Sequence, residues 1–591
     1  MRILGISAFF HDSAAVLLEG GVLRAAVQEE RFSRLKHDAT FPEQSIRWIL
    51  ETRKIDLASV DCVVFYEKPF VRFERLLYTY LGFAPSGLRS FCESMPRWAR
   101  EKLFQRKRLL RALRGLPGGE RWNGKLWFSE HHLSHAASAF YPSPFEEAAI
   151  LTVDGVGEWT TTQIAVGEGA MIRPLKEMSF PHSLGLLYSA LTAFIGFKVN
   201  SGEYKVMGLA PYGEPRFAER MERELIDLRA DGSFRLNMAY FRFATDLKMT
   251  GSAMATLLGT KPRHPEAPLD QVYIDIAASL QQLTEKVMLG LAHAAARETG
   301  KRYLCLAGGV ALNCVANGKL LRDGCFEDIW VQPAAGDAGA AAGAAWAAYH
   351  MGMGVSRVSG IAFHGTFLGP AFDDEVVVRT LASLGACFEE LDDEMLLTRC
   401  AEDLAAGKVL GWMQGAAEFG PRALGNRSIL ADPRPSQAQR DLNLKIKFRE
   451  SFRPFAPAVL VERAKRYFSL DRESPYMAFV SPVLAEAQAG VAVPAVTHVD
   501  GSARVQTVAK KDNPRFHALL SRFEALTGCP MLVNTSFNVR GEPMILTPEH
   551  AYACFMGTGM DRLVIGNCYL TKEGQRGGSP YEKHASLFAA D

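Results

Sequence analysis

The sequence predicts an α/β protein built in two parts. Three observations carry this. Short apolar runs of strand length alternate with longer amphipathic stretches along the chain. The N-terminus opens on three consecutive strand signals joined by tight turns. A Gly- and Pro-richer stretch at 353–372 interrupts the alternation, and a chain of 591 residues is too long for one core.

The elements follow in order. Residues 3–8 and 14–19 read as strands around the turn Phe9-Phe10-His11-Asp12-Ser13. Gly20-Gly21 turns the chain into a third strand at 22–28, so an antiparallel meander begins the fold, unlike the start of a dinucleotide-binding domain. Helical, basic sequence fills 70–115 and stops at the Leu-Pro-Gly-Gly turn around Pro117. A strand at 125–129, a helix through His135 that stops near Pro142, and a strand at 149–153 come next. A loop-rich middle gives way to a helix at 271–299, a strand at 303–306, a Gly-Gly turn, a helix at 311–321 and a strand at 328–331. An Ala/Gly-rich helix after Asp337 closes this half; Asp337 within it marks a buried helix, not a membrane span. The second half reopens at Gly411-Trp412-Met413. No internal repeat and no low-complexity tract is visible.

Composition narrows the function. With 48% hydrophobic and 22% charged residues the chain has the balance of a water-soluble globular protein. A net charge of +2 is too small to favour nucleic acid as the main partner. None of the ten cysteines forms a Cys-x-x-Cys pair, and no signal-peptide pattern opens the chain. A reduced, cytoplasmic enzyme is the expectation, without membrane attachment; a homodimer stays open.

Two regions carry candidate chemistry. His131 and His135 stand at i and i+4, on one face of the expected helix, where both imidazoles reach one ion. Asp154 ends a strand and Asp337 opens a helix, both places from which a carboxylate projects into a cleft. Two His and two carboxylates suit Fe(II), Mn(II) or Zn(II) better than Ca(II) or Mg(II). Alone, the His-x-x-x-His spacing is short and common, and a buried, hydrogen-bonded core histidine at His132 or His135 is the competing reading. Gly308-Gly309, followed by Asn313, offers a helix N-terminus to phosphate or ribose, or is simply a tight turn. The polar, glycine-bounded element 202–208 brings Glu203 for ribose hydroxyls and Lys205 for a phosphate, or is a solvated loop. His11, between Phe10 and Asp12 in the first turn, suits a general base near neutral pH.

The second half holds cations among aromatics: Arg422 in a Gly/Pro-framed loop, then Lys447 and Arg453 among Phe and Pro. Arg504 sits on an expected strand, and Asn534 and Ser536 follow the apolar run 531–533. Guanidinium and ammonium groups in partly buried surroundings need anions, and a small phosphorylated ligand fits. A single-stranded nucleic-acid groove and a solvated charged face are the competing readings.

Taken together, the strings GISAFFHDSAA, EERFSRLKHDATFP, EHHLSHAAS, LTVDGVGEW, GEYKVMGLAPYG, GGVALN, GDAGAAAG, FGPRALGNRSILADPR, KIKFRESFRPFAP and NTSFN resemble the NodU/CmcH family of O-carbamoyltransferases, almost end to end. The resemblance implies an actin- and sugar-kinase-like, duplicated α/β domain at 1–355 and a YrdC-like adenylation domain at 373–591. It implies that His131, His135, Asp154 and Asp337 hold an iron-like metal on a nucleotide phosphate, and that Gly308, Gly309 and Asn313 meet adenosine. It implies that Arg422, Lys447, Arg453, Arg504, Asn534 and Ser536 bind carbamoyl phosphate and ATP, with Mg(II) at the adenylation step. His11 falls on the family's catalytic histidine, and Lys36 lies in its second motif. The expected reaction makes carbamoyladenylate and passes its carbamoyl group to a small-molecule hydroxyl. A tRNA threonylcarbamoyl-type enzyme and a non-catalytic nucleotide-binding scaffold are the alternatives. A hydrogenase-maturation role is disfavoured, since those enzymes carry Cys-x-x-Cys motifs.

Overall fold

The computed structural model describes residues 1–265, 267–358, 363, 365–485, 490–575 and 588. By internal contacts the chain divides into one unit of residues 1–29 and 37–364 and another of residues 30–36 and 365–591.

The first unit begins with the expected meander: β1 (Arg2–Ser7), β2 (Ala14–Glu19) and β3 (Val22–Gln28), antiparallel throughout. Gly20 and Gly21 both have positive φ, 58° and 86°, which a two-residue hairpin of matching twist demands. β4 (Cys62–Phe65) then pairs parallel to β1, and β5 (Lys125–Phe128) parallel to β4. A second meander, β6 (Glu147–Val153), β7 (Thr160–Glu168) and β8 (Met171–Ser179), starts a second sheet. After a small hairpin, β9 (Ile226–Leu228) and β10 (Phe234–Leu236), the strand β11 (Tyr303–Ala307) pairs parallel to β6 and β12 (Asp328–Val331) parallel to β11. Both five-stranded sheets therefore run third, second, first, fourth, fifth strand. This is the duplicated α/β arrangement that the resemblance implied, although the sequence shows no repeat.

Helices of this unit include α1 (Glu43–Thr52), α2 (Pro69–Gly82), α3 (Leu88–Leu103), α4 (Gln105–Arg114), α5 (His131–Phe140), α6 (Leu184–Phe194), α7 (Glu203–Leu209), α8 (Gln271–Thr299), α9 (Cys314–Asp323) and α10 (Asp337–Ala347), with two more at Ala218–Leu225 and Ser252–Leu258. α10 is buried along its whole length. Its small residues let backbones touch: a Cβ on Gly343 would lie 1.7 Å from the Ser134 carbonyl of α5, and one on Gly5 would lie 2.1 Å from the Ala341 carbonyl. The element at 203–209, open to reading as a solvated loop, is a helix with Lys205 wholly buried. The expected helix at 311–321 splits into a 3-10 turn, Gly309–Leu312, and α9, with Asn313 as the cap between them.

The second unit contains β13 (Glu389–Glu390), β14 (Leu410–Met413), β15 (Arg427–Ala431), β16 (Ala456–Leu460), β17 (Val480–Pro482), β18 (Ser502–Arg504), β19 (Gln506–Val508), β20 (Met531–Ser536), β21 (Arg562–Ile565) and β22 (Cys568–Thr571). Eight of these form a mixed sheet in the order β13-β22-β21-β14-β15-β20-β16-β19, and β17 pairs with β18 apart from it. The segment 30–36 belongs here: Arg31 donates to the Gly420 carbonyl at 2.8 Å, and Arg34 to Glu542 Oε1 and the Pro543 and Met544 carbonyls, each at 2.8 Å. Lys36, expected within an N-terminal motif, thus lies in the C-terminal unit. Among the described residues no helix is long and apolar enough to cross a membrane.

Candidate active site

The packing of α5 against α10, and of both beside the ends of β1 and β6, brings the four expected metal ligands together. His131 and His135 are one turn apart on α5, Asp154 follows β6, and Asp337 is the first residue of α10. His131 Nε2 lies 3.1 Å from His135 Nε2, 3.0 Å from Asp154 Oδ2 and 3.8 Å from Asp337 Oδ1. His135 Nε2 lies 3.8 Å from Asp154 Oδ2 and 3.6 Å from Asp337 Oδ1. All four ligand atoms fall within 4.8 Å of one another. Ligands about 2.1 Å from one ion are separated by about 3–4.2 Å, so this spacing fits a single cation. The donor set of two nitrogens and two oxygens matches Fe(II), Mn(II) or Zn(II).

The electrostatics agree with a cation there. Burial opposes charge on His131, but its hydrogen bond to Asp154 and the charge of Asp337 push it up to about 9. Burial likewise disfavours the Asp154 carboxylate, yet His131 and His135 hold it well below the usual range. A cation would replace the protons held in this cluster. His132 behaves differently. Burial depresses it well below its ordinary value, and Nδ1 bonds Thr152 Oγ1 at 2.7 Å, so it is a core histidine.

His11 reaches the same centre from the β1–β2 turn: its Nε2 is 3.8 Å from Asp337 Oδ2. Its Nδ1 is bonded to Asp12 Oδ2 at 2.9 Å, and Asp12 Oδ1 to His37 Nδ1 at 2.8 Å. Burial resists charge on Asp12, but these two imidazoles lower it strongly, so it stays a carboxylate and orients His11. Burial also opposes charge on His11, and Asp337 and Asp12 outweigh it, raising the imidazole to about 9. That differs from the near-neutral value expected for a turn histidine. The physical reason is two carboxylates whose charge a bound cation would partly cancel.

Residues that sequence reasoning missed complete the centre. Tyr66, fully buried, donates to Asp337 Oδ2 at 3.3 Å. Glu158 accepts from the His131 amide at 3.1 Å and fixes the start of α5. Tyr66 has no periodic or motif signal of its own, whereas His37 stands inside EERFSRLKHDATFP. Glu158 stands inside LTVDGVGEW and was the one most open to discovery.

The other expected residues of this unit are more structural. Gly309 N donates to Asp154 Oδ1 at 2.8 Å, and Gly308, at φ 92°, passes so close to β6 that a Cβ would lie 2.3 Å from the Val153 carbonyl. Asn313 caps α9 through Ala316 N at 3.0 Å and exchanges hydrogen bonds with Gln281 at 3.0 and 3.1 Å. Glu203 accepts from Ser189 Oγ at 2.6 Å and Asn200 N at 3.0 Å, and Lys205 sits 5.5 Å from the Phe197 ring.

In the second unit Lys447 and Ser536 meet. Lys447 Nζ donates to the Ser536 and Asn538 carbonyls, both at 2.7 Å, and to Asn538 Oδ1 at 2.6 Å. Burial, with Arg449 and Arg453 adding to it, pulls this amine well below its ordinary value. Arg453 and Arg540 lie on either side of Glu450, 4.0 Å from its two oxygens. Arg540 carries no motif signal, whereas Asn538 closes the string NTSFN. Asn534 donates to Gln506 Oε1 at 2.7 Å, Arg504 lies on β18, and Arg422 is half-buried in the loop before β15. Glu418 Oε1 organises that loop by accepting from the Leu424, Asn426 and Arg427 amides at 2.8–3.1 Å. Arg427 is spent on carbonyls of Gln414, Gly415, Asn426 and Pro370 and is structural.

Comparison with known proteins fits this arrangement. Residues 2–346 match the model of the carbamoyltransferase N-terminus, and residues 401–572 that of the carbamoyltransferase C-terminus. The chain belongs to the carbamoyltransferase family, with the NodU/CmcH group of O-carbamoyltransferases. It is 54% identical to an uncharacterized protein of Synechocystis sp., over 97% of both chains. It is 39% identical to nodulation protein NolNO of Sinorhizobium fredii, over 96% of this chain and 80% of that one. It is 31% identical to the 3'-hydroxymethylcephem-O-carbamoyltransferase of Amycolatopsis lactamdurans, over 75% of this chain and 80% of that one. The solved structure of T. kodakarensis HypF overlaps 60% of this chain and 48% of its own, at a TM-score of 0.31 and 16% identity, too loosely to carry an argument.

Proposed function

We propose that the chain is an ATP-dependent O-carbamoyltransferase. Residues 373–591, YrdC-like on the family resemblance, activate carbamoyl phosphate as carbamoyladenylate, with Lys447, Arg453, Arg540 and Ser536 at the anionic substrates. Residues 1–355 transfer the carbamoyl group to a hydroxyl of a small-molecule acceptor. The observation that carries this reading is His11 Nε2, 3.8 Å from Asp337 within a four-ligand cluster.

In the transfer step the acceptor oxygen bonds to the carbamoyl carbon, and the bond from that carbon to the phosphate oxygen of AMP breaks. The electron pair leaves with AMP, and the hydroxyl proton passes to His11 Nε2. Asp12 holds the opposite ring nitrogen, so Nε2 is left to accept. His131, His135, Asp154 and Asp337 would hold a divalent cation, Fe(II) by the resemblance, that supplies positive charge to the departing phosphate.

Carbamoyl-phosphate-dependent exchange of labelled pyrophosphate into ATP tests the first step. Mass spectrometry of hydroxyl compounds incubated with the full chain, ATP and carbamoyl phosphate tests the second, as a gain of one carbamoyl unit. Both are expected. A chain that binds ATP yet shows no exchange is not such an enzyme.

A further inference from the structure

Helix α2 carries two arginines that the mechanism above does not use. Arg72 and Arg75 are one turn apart and nearly buried, at 7% and 5% exposure. Arg72 is satisfied by an ion pair with Glu67, and its guanidinium lies 4.4 Å above the Phe10 ring, next to His11. Arg75 has no carboxylate in contact. Among the described residues the one hydrogen bond of its guanidinium runs from Nη1 to the Gly157 carbonyl at 3.0 Å, and the guanidinium stacks 5.2 Å from the Phe180 ring. Gly157 in turn abuts the metal-site histidine, since a Cβ there would lie 2.8 Å from His131 Cδ2.

A guanidinium has five donors and no way to shed its charge at neutral pH, so burying one with a single carbonyl partner is costly. Such a group calls for an anion. Glu67 is taken by Arg72, and Glu158 is taken by the His131 and Lys68 amides. Burial, with the neighbouring Arg72 adding to it, lowers Arg75 to about 9, as a counterion-poor guanidinium should be. One turn further along α2, Tyr78 is 56% exposed and packs against Trp159, with ring centres 6.4 Å apart. Phe10 is 43% exposed. Arg72 and the exposed Phe10 ring thus adjoin His11, and Arg75 and Tyr78 follow at one-turn steps along the same helix.

We propose that Arg75, steered by Arg72, is an anion subsite for the acceptor, and that the acceptor is a hydroxyl compound bearing a carboxylate or phosphate. This deepens the reading of the transfer site and rests on it. The acceptor is assigned rather than the nucleotide because Arg72, one turn before Arg75 on α2, lies over Phe10 next to His11, where the hydroxyl must lose its proton. The Gly308-Gly309 turn touches Asp154 through its other oxygen, Oδ1.

Equilibrium titration of the metal-loaded full chain with gluconate and with sorbitol, a matched charged and neutral pair, tests this. Gluconate is expected to bind at least 10-fold more tightly than sorbitol. Arg75→Met should bring gluconate down to the sorbitol value, and Arg75→Lys should recover part of the difference. Metal content of each variant checks that the centre is intact. Equal affinity of the unsubstituted chain for the two compounds, or a preference that survives Arg75→Met, overturns the proposal. AMP distinguishes the source of the anion: if Arg75→Met weakens AMP and leaves gluconate alone, the guanidinium serves the nucleotide phosphate and the acceptor assignment is wrong. These titrations need no turnover. A chain that discriminates gluconate through Arg75 but exchanges no pyrophosphate keeps the subsite and loses the proposed reaction.

Discussion

His131 and His135 face each other nitrogen to nitrogen at 3.1 Å, and two carboxylates share that space. Removing one ligand leaves the rest uncompensated. His131→Ala or Asp337→Ala is therefore expected to cut metal affinity by at least about 100-fold, measured by metal analysis after dialysis, with the fold retained. Full occupancy in both variants would remove the site. The protons of the cluster give a second expectation. In metal-free protein His11 lies near 9, above its ordinary value, so it is an imidazolium at pH 7–8 and loses its proton only as pH rises through about 9. A cation on Asp337 removes much of the charge that raises it, and His11 should then titrate lower. Histidine NMR with and without metal reads this directly; a His11 value near 6.5 in the metal-free chain would contradict it. The clustering of these four residues was legible, because i, i+4 spacing and strand or helix ends are local facts. Tyr66 was not, and neither was the role of His37, since each acts through a contact made only in the fold, Tyr66 with Asp337 and His37 with Asp12.

The site depends on two helices crossing backbone to backbone. Gly343 on α10 meets the Ser134 carbonyl on α5, leaving no room for a methyl group. Gly343→Ala should overpack this contact, cost about 1–3 kcal/mol in unfolding measurements, and weaken metal binding by shifting Asp337 against His131. Gly82→Ala is the control, as a Cβ there meets nothing within 4 Å. Metal binding unchanged in Gly343→Ala would mean that the helices adjust without moving the ligands. At this scale the sequence was most readable where period and punctuation agree. The strands 14–19, 22–28 and 328–331 and the helix 271–299 fall where alternation, Gly-Gly turns and capping predict. It was least readable at 203–209, where polar residues concealed a helix whose lysine is buried beside Phe197.

Over the whole molecule, two five-stranded sheets share one strand order without a visible sequence repeat. Strand order is fixed by backbone pairing and by which face is buried, and many different side chains satisfy both. The grouping of residues 30–36 with the C-terminal unit was equally hidden, because Arg34 and Glu542 are 508 residues apart. Separate half-reactions on separate sets of residues are tested most directly by His11→Asn. Both steps are measured in this one variant: pyrophosphate exchange for adenylation, and carbamoyl gain on the acceptor for transfer. Exchange is predicted to stay near the unsubstituted rate while transfer falls about 10²–10⁴-fold, the contribution of a general base. Equal losses in both steps, or transfer at the unsubstituted rate, would show that His11 is not the base of the transfer step.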